Sequence, residues 1–398
     1  MIRRAFAKLF LFSWTSCCLL TASLYGDSVP AYKLNEGPVG DAVRAGIGAL
    51  QSGDLNKAEE FFRQALKLKP DEPHALVLLA EVAMRNGKPA EAVPLLQTAV
   101  AKNPTSAAAQ EAMGRYLLRQ KDYAGAESAL RKAAQLGPIW VDAHLSLGDF
   151  YMYRRRSPEA VASYRMAVQI DPSSAIGHYK LGLGLWESQD QEAAAVELES
   201  ASRLWPKSGQ PHIVLGDLLS KTGREDAAIA EYATAAKLEP ENATPYVRIG
   251  MARQKKGQTA LAQESYRRAL AIEPTQVIAL NNLAWIDLQL SASLDEALTL
   301  AKKAVEEAPN VGQFLDTLGW VYHARGEKEQ AVLALKKGTT ATPQDPEIWY
   351  HLGVVYEEAG KNEDALAAFN KSLSFKKDFP EASDTRKRAE KLSARVHR

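Results

Sequence analysis

Cysteine is almost absent from this sequence. The 398 residues include two cysteines, Cys17 and Cys18, and both lie in an uncharged N-terminal run at residues 9–26. If that run is removed on export, the remaining chain has no thiol, which excludes disulfide bonds, a cysteine nucleophile and a zinc–cysteine cluster. A lipid anchor on Cys17 would need a small-residue box before it, and the Trp-Thr-Ser that precedes it is a poor match. Lipidation is therefore the less favoured interpretation.

An excess of either charge is also lacking. The chain has 49 Lys and Arg residues against 48 Asp and Glu residues, and 46% of its residues are hydrophobic. Such a composition is typical of a folded protein rather than a disordered one. A balanced charge provides no general field that would attract nucleic acid. We therefore expect no nucleic-acid partner.

Signatures of catalysis are missing as well. The sequence contains no glycine-rich phosphate loop, no GxSxG elbow and no HExxH motif. After residue 39 the repeats described below leave no segment over for a separate catalytic domain. We therefore predict a protein that is not an enzyme and that has no cofactor.

The N-terminus has the charge order of a secretory signal. Arg3, Arg4 and Lys8 precede the uncharged run, which is the order that export signals show. We predict a signal peptide at residues 1–26 and a flexible lead at residues 27–38. The run is about 18 residues long, the lower edge of what spans a bilayer, so an uncleaved anchor remains the alternative. Either way we expect an exported protein, periplasmic or extracellular.

A ladder of prolines marks a repeat of 34 residues. Numbering each proline as position 32 of its unit, the ladder comprises Pro70, Pro104, Pro138, Pro172, Pro206, Pro240, Pro274, Pro309 and Pro343. Proline lacks the amide hydrogen and disfavours helix in the residue before it, so each one suits the end of a helix. The predicted units are residues 39–72, 73–106, 107–140, 141–174, 175–208, 209–242, 243–276, 277–311, 312–345 and 346–379.

Small residues keep the same register as the prolines. Position 8 is glycine in eight units and alanine at Ala80 and Ala284, while position 20 is alanine in every unit, as in Ala228. Glycine inside a helix costs about 1 kcal/mol relative to alanine, so a glycine at constant phase needs a packing reason. We expect two helices per unit that approach closely at position 8. Larger side chains at position 24, such as Tyr232, would fill the remaining contact.

This pattern resembles the tetratricopeptide repeat family. The last unit carries its fullest form in Trp349, Leu352, Gly353, Tyr356, Ala365 and Phe369. The resemblance covers residues 39–379 and implies an all-α fold, a right-handed α-solenoid of about ten helical hairpins in which each unit touches only its neighbours. The basic segment at residues 380–398 is predicted to be a C-terminal capping helix and tail.

Two kinds of departure from the pattern lie in the turns between helices. Position 15 is glycine in most units but Lys121, Arg155 and Gln189 in units three to five, so we expect those three turns to differ locally. Unit eight has one extra residue within residues 291–293. Ser293 and Glu296 form a capping box that would restart the second helix after it.

Three histidines at position 4 raise the question of a metal site. They are His144, His178 and His212, one in each of three consecutive units. Neighbouring helices lie roughly 8 to 10 Å apart, whereas the donor atoms around one zinc ion must be within about 4 Å of each other. We therefore predict no metal site. Because the resemblance makes position 4 an aromatic packing site, these histidines are expected to replace Trp or Tyr there.

The resemblance places the partner-binding groove on one stripe of the first helices, chiefly at positions 5, 9 and 12. The candidate groove residues are Leu145, Asp149, Met152, Tyr179, Leu183, Trp186, Ile213, Asp217, Met251, Asn281, Trp285, Trp320 and Tyr350. Their apolar and aromatic character favours an extended peptide or helix of another protein as ligand. At least one of Trp186, Trp285 and Trp320 is predicted to be a binding anchor. The alternative is that many of these side chains pack between adjacent first helices.

Two family binding modes do not match this sequence. The clamp for chaperone tails requires asparagine at position 9, which no unit has, and the asparagine ladder requires it repeatedly at position 6, where Asn282 alone qualifies. Residues 154–156 are three arginines, and the segment from Lys376 onward is basic. We interpret both as solvated faces; weak contact with an anionic membrane or polymer is the alternative.

The resemblance to exported repeat proteins implies two possible functions. The favoured one is an interaction scaffold of the bacterial envelope that assists assembly of an envelope, secretion or polysaccharide complex. The alternative is an accessory subunit that holds a separate enzyme, a glycosyltransferase or peptidase, near its substrate.

Overall fold

The structure is a computed structural model that describes residues 36–290, 293–376 and 378–396. All regular secondary structure in these residues is α-helical. The predicted signal peptide and nearly all of the flexible lead lie outside them, as do residues 291–292 of the extra loop. Among the described residues, no helix is both long enough and apolar enough to span a bilayer.

The helices group into two compact bodies of five repeats each, which we call the first unit (residues 36–206) and the second unit (residues 207–396). A single repeat keeps its number, as in unit eight. The first unit contains five helix pairs: α1 (Pro38–Gln51), α2 (Leu55–Leu68), α3 (Pro73–Arg85), α4 (Pro89–Lys102), α5 (Ala107–Arg119), α6 (Tyr123–Leu136), α7 (Val141–Tyr153), α8 (Ser157–Ile170), α9 (Ala175–Glu187) and α10 (Gln191–Leu204). The second contains five pairs and a final helix: α11 (Gln210–Lys221), α12 (Glu225–Leu238), α13 (Thr244–Lys255), α14 (Thr259–Ile272), α15 (Val277–Leu290), α16 (Leu294–Glu307), α17 (Gly312–Ala324), α18 (Lys328–Ala341), α19 (Pro346–Glu358), α20 (Asn362–Phe375) and α21 (Ala382–Val396).

Each pair is a hairpin that packs on the next one within its unit. The two helices of a pair make the largest contacts, the second helix touches the following first helix, and successive first helices also touch, as α15 touches α17. The predicted all-α solenoid of hairpins is therefore confirmed. The first helices of a unit form a continuous row, so the same position of successive repeats recurs along one surface.

Glycine at position 8 is explained by the closeness of the two helices. A Cβ added to Gly216 would lie 2.5 Å from Cε1 of Tyr232, and one added to Gly250 would lie 2.5 Å from Cε1 of Tyr266. Such distances are far inside van der Waals contact, so the larger residue at position 24 occupies the space that the glycine leaves. The predicted close approach at position 8 is confirmed.

The prediction that three turns differ locally was wrong. Lys121, Arg155 and Gln189 have φ angles of 63°, 56° and 65°, in the same left-handed region as Gly223 at 80°. The hydrogen bonds also match, because the Lys121 amide donates to the carbonyl of Leu118 at 3.0 Å just as a glycine amide does in other turns. Packing of the two helices dictates the turn. A side chain there is strained by about 1–2 kcal/mol.

The predicted helix cap at Ser293 and the predicted C-terminal helix are both present. The Ser293 hydroxyl accepts a hydrogen bond from the Glu296 amide at 3.2 Å, which caps the start of α16. At the C-terminus, α21 packs against α20, with Ala389 and Leu392 in the same hydrophobic cluster as Phe369. The final helix therefore covers apolar surface that the last hairpin would otherwise expose.

Candidate functional site

The thirteen candidate groove residues divide into two groups by burial. Leu145, Tyr179, Trp186, Ile213 and Asn281 are buried, Trp186 with 6% of its surface exposed. Half-buried are Asp149, Met152, Leu183, Asp217, Met251, Trp285, Trp320 and Tyr350. Packing between neighbouring helices accounts for the first group. The second group provides most of the accessible surface of the predicted groove.

Asp149 is held by an ion pair between neighbouring first helices. Nζ of Lys180 lies 2.7 and 2.9 Å from its two carboxylate oxygens, and the hydroxyl of Tyr164 donates to Oδ1 at 2.7 Å. Lys180 itself is 5% exposed. A buried ammonium requires such a partner because an isolated charge there would be costly. Asp149 therefore joins two hairpins, in addition to its place on the predicted groove.

Asp217 repeats this arrangement in the second unit. Nε of Arg248 lies 3.0 Å from its Oδ1, and the Tyr232 hydroxyl donates to the same oxygen at 2.7 Å. Burial raises the pKa of Asp217 above its ordinary value, although Arg248 and Tyr232 favour the ionised form. Burial, followed by the charge of Asp217, also raises the pKa of Tyr232. The Asp217 carboxylate and the Tyr232 hydroxyl are thus part of the packing between helices.

These contacts involve a recurrent pairing of position 24 of one repeat with position 6 of the next. A tyrosine at position 24 precedes a polar side chain at position 6 of the next unit in Tyr164 with Lys180, Tyr232 with Arg248 and Tyr266 with Asn282. In the third pair the Asn282 amide donates to the Tyr266 hydroxyl at 3.1 Å. Asn282 is 1% exposed, so it packs inside the repeat. The sequence analysis did not predict this pairing, although tyrosine at position 24 recurs together with a polar residue at position 6 of the next unit.

The second unit has a row of large side chains at position 9 of three successive first helices. Met251, Trp285 and Trp320 lie on α13, α15 and α17, and all three are half-buried. We call them the position-9 row. Trp285 and Trp320 both pack on one cluster that includes Leu288 and Leu318. Their inner edges are thereby anchored in the core, while part of each indole remains accessible.

Trp320 stacks with two histidines. Its ring centroid lies 4.3 Å from that of His351 and 4.6 Å from that of His323, with interplanar angles of 24° and 18°. Nδ1 of His351 lies 2.7 Å from Oδ1 of Asp316, and Nε2 of His323 lies 2.8 Å from Oε2 of Glu358. Burial alone would lower the pKa of His351, but the carboxylate of Asp316 raises it above the ordinary value. The stack fixes the orientation of the Trp320 indole.

Asn281 brings a polar acceptor close to Trp285. Its Nδ2 donates to Oδ1 of Asn282 at 3.3 Å, while its own Oδ1 is buried with no hydrogen-bond partner among the described residues. Residues four apart lie on the same helix face, so Asn281 and Trp285 share one face of α15. A buried acceptor is costly when unsatisfied. Because this oxygen is enclosed by the protein, it is not part of the accessible surface of the predicted groove.

Two of the three position-4 histidines pack as the tryptophan of unit ten does. Nε1 of Trp349 donates to the carbonyl of Pro343 at 2.8 Å, and Nε2 of His144 and of His178 lie 3.2 and 3.1 Å from the carbonyls of Pro138 and Pro172. Each ring nitrogen thus meets the position-32 carbonyl that precedes it. Within residues 36–290, 293–376 and 378–396, no group of three His, Cys, Asp or Glu side chains could hold a metal ion.

Comparison with known proteins decides the family. Models described as tetratricopeptide repeat match residues 49–116, 111–175, 179–243, 243–276 and 346–379, and one described as TPR repeat matches residues 319–360. The chain belongs to the tetratricopeptide repeat family. Tetratricopeptide repeat proteins are in general interaction scaffolds without catalytic activity of their own, and this chain is a scaffold for binding other proteins.

The chain also matches several solved structures. The chain is 15% identical to the structure titled APC/C hetero-tetramer Cut9-Hcn1, covering 94% of this chain and 99% of that one with a TM-score of 0.49. It is 15% identical to yeast Tom70, covering 89% of both chains with a TM-score of 0.47. It is 25% identical to TTC0263, a tetratricopeptide repeat protein of Thermus thermophilus, covering 47% of this chain and 100% of that one with a TM-score of 0.39. No curated protein matches the sequence.

Proposed function

We propose that this tetratricopeptide repeat protein is an exported scaffold of the bacterial envelope. In this proposal the groove along the first helices of the second unit binds an extended or helical segment of a partner and assists assembly of an envelope, secretion or polysaccharide complex. The observation that carries the binding proposal is the position-9 row, Met251, Trp285 and Trp320. Export rests on the charge order of the N-terminal segment.

The chemistry of the row indicates the kind of partner segment. Two indoles and a thioether provide flat and polarizable apolar contact, the type of surface that buries aliphatic and aromatic side chains. A segment with apolar or aromatic anchors matches this surface.

Site-specific photocrosslinking tests the binding site in cells. A photoreactive amino acid at Met251 or Trp285 of the full chain is expected to trap the partner. The matched control is the same amino acid at Leu333, which lies on the second helix α18 and is 58% exposed. The binding proposal is wrong if the Leu333 variant traps the same protein as efficiently. The identity of the trapped protein also separates a scaffold of an envelope complex from a subunit that holds an enzyme.

Substitution of the tryptophans tests the energetics of binding. Trp285→Ala with Trp320→Ala should weaken capture of the crosslinked partner, since truncation of an interface tryptophan costs about 2 kcal/mol or more. The control is Trp349→His, because histidine occupies position 4 in three other units and in two of them, at His144 and His178, it meets the corresponding carbonyl. Export is tested separately by sequencing the N-terminus of the mature protein. A protein that begins at Met1 in the cytoplasm would contradict export while leaving the binding site intact.

A further inference from the structure

Two turns of the first unit meet at an aromatic contact. Tyr123 opens α6 and Tyr153 closes α7; their ring centroids lie 6.0 Å apart and their hydroxyls 3.4 Å apart. The guanidinium of Arg154 lies over the Tyr123 ring, 4.2 Å from its centroid. The turn after α5 and the turn after α7 therefore form one continuous surface, which we call the arginine edge (residues 119–123 and 153–156).

The arginine edge has cations that the fold leaves free. Lys121 and Arg155 are exposed, and neither side chain has a hydrogen-bond or ion-pair partner among the described residues. Arg156, by contrast, is held by Glu127 at 3.0 Å and Glu159 at 2.8 Å. The one carboxylate within the edge is Asp122, which accepts a hydrogen bond from the Gly125 amide at the start of α6. The edge is thus strongly positive in a chain whose total charge is balanced.

The backbone gives a second reason to single out these cations. Lys121 and Arg155 occupy the left-handed position that is glycine in most other units, with φ of 63° and 56°. Glycine adopts this conformation without strain, so hairpin geometry gives no reason for a long side chain there. Residues held in strained conformations cluster at functional sites. A ligand for the two side chains would account for their presence.

We propose that the arginine edge binds an acidic polypeptide segment. Guanidinium groups match carboxylates in planar, bidentate geometry, and exposed tyrosine is enriched at protein interfaces. Tyr153 is 53% exposed beside these cations, so one surface offers both kinds of contact. A membrane surface is the less suitable occupant, because stable attachment to it requires apolar side chains or a lipid that inserts. This second docking surface is separate from the position-9 row and does not depend on it.

The test uses a double variant that removes charge without adding strain. Lys121→Gly with Arg155→Gly deletes both cations and places the residue that the backbone favours at each turn. Binding of a fluorescein-labelled oligoglutamate peptide to the full chain is expected to weaken about tenfold or more, equivalent to about 1.4 kcal/mol. Affinity of the unsubstituted protein should fall as salt is raised. The matched control is Gln189→Gly, which makes the same backbone change in the next turn without altering charge.

Each outcome of this test either supports or overturns the proposal. Loss of peptide binding in the double variant, with unchanged binding in Gln189→Gly and a melting temperature no lower than that of the unsubstituted protein, supports the proposal. It is overturned if the peptide does not bind, if binding is indifferent to salt, or if the control loses as much affinity as the double variant. Co-sedimentation with phosphatidylglycerol vesicles through the same two residues, without peptide binding, would also overturn it in favour of a lipid surface.

Discussion

The hydroxyl of Tyr232 donates a 2.7 Å hydrogen bond to the carboxylate of Asp217, across the two helices of one hairpin. The same carboxylate is paired with Arg248 of the next hairpin. One oxygen atom therefore joins the contact within a repeat to the contact between repeats. Because Tyr164, Asp149 and Lys180 reproduce the arrangement in the first unit, it is a recurrent way of joining repeats in this protein.

Removal of the Tyr232 hydroxyl should destabilise the second unit. Tyr232→Phe keeps the ring that packs on Gly216 but leaves Asp217 without one buried donor, at a cost of about 1–3 kcal/mol. Urea denaturation monitored by circular dichroism measures the loss. Tyr153→Phe is the control, because the Tyr153 side chain is exposed and loss of its hydroxyl should leave the stability almost unchanged. Equal effects of the two substitutions would show that the Tyr232 hydroxyl has no special role.

Addition of a methyl group to the glycine at position 8 should lower the stability of the protein, although it raises helix propensity. Gly216→Ala gains about 1 kcal/mol of propensity, but its Cβ would lie 2.5 Å from the Tyr232 ring. Overpacking of a close contact costs about 1–3 kcal/mol, so we expect a net loss of stability. Gly48→Ala is the matched control on α1, since a Cβ at Gly48 has nothing within 4 Å. That variant should be stabilised, and stabilisation of both would contradict the packing explanation.

The hairpin framework could be predicted from the sequence because its determinants are periodic. Proline at position 32, alanine at position 20 and glycine at position 8 each act through backbone geometry, which is the same in every unit. The turns at Lys121, Arg155 and Gln189 could not be predicted from residue type alone. There the packing energy of two helices exceeds the local preference of a side chain, so the chain accepts a strained φ.

The candidate site was less predictable because register does not determine burial. Trp186 and Trp285 occupy first-helix stripes that the sequence treats alike, yet Trp186 is buried and Trp285 is half-buried. Which indole remains accessible depends on the side chains of neighbouring hairpins. Likewise Asp149 and Asp217 looked available for a partner, but their ion pairs with position 6 of the next unit require the three-dimensional stacking of repeats.

The contact between His351 and Asp316 should make stability depend on pH. The pKa of His351 in the folded protein is raised above its ordinary value, so the folded state binds its proton more tightly than the unfolded state does. The stabilisation is therefore fully present below the unfolded pKa and is lost as pH rises through the folded pKa. The carboxylates that face His351 are Asp316 on α17, Glu347 on α19 and Glu381 before α21. All three favour the charged imidazole.

Comparison of His351→Gln with the unsubstituted protein isolates this effect. Glutamine retains a donor toward Asp316 but does not titrate in this range, so its urea midpoint should fall less between about pH 6 and about pH 9. His323→Gln is the control, because His323 also stacks on Trp320 but its contact with Glu358 lies at an exposed carboxylate. If the unsubstituted protein and His351→Gln lose stability in parallel as pH rises, the Asp316 contact is not the source. A flatter profile for His351→Gln alone would assign the pH dependence to the imidazole that orients Trp320.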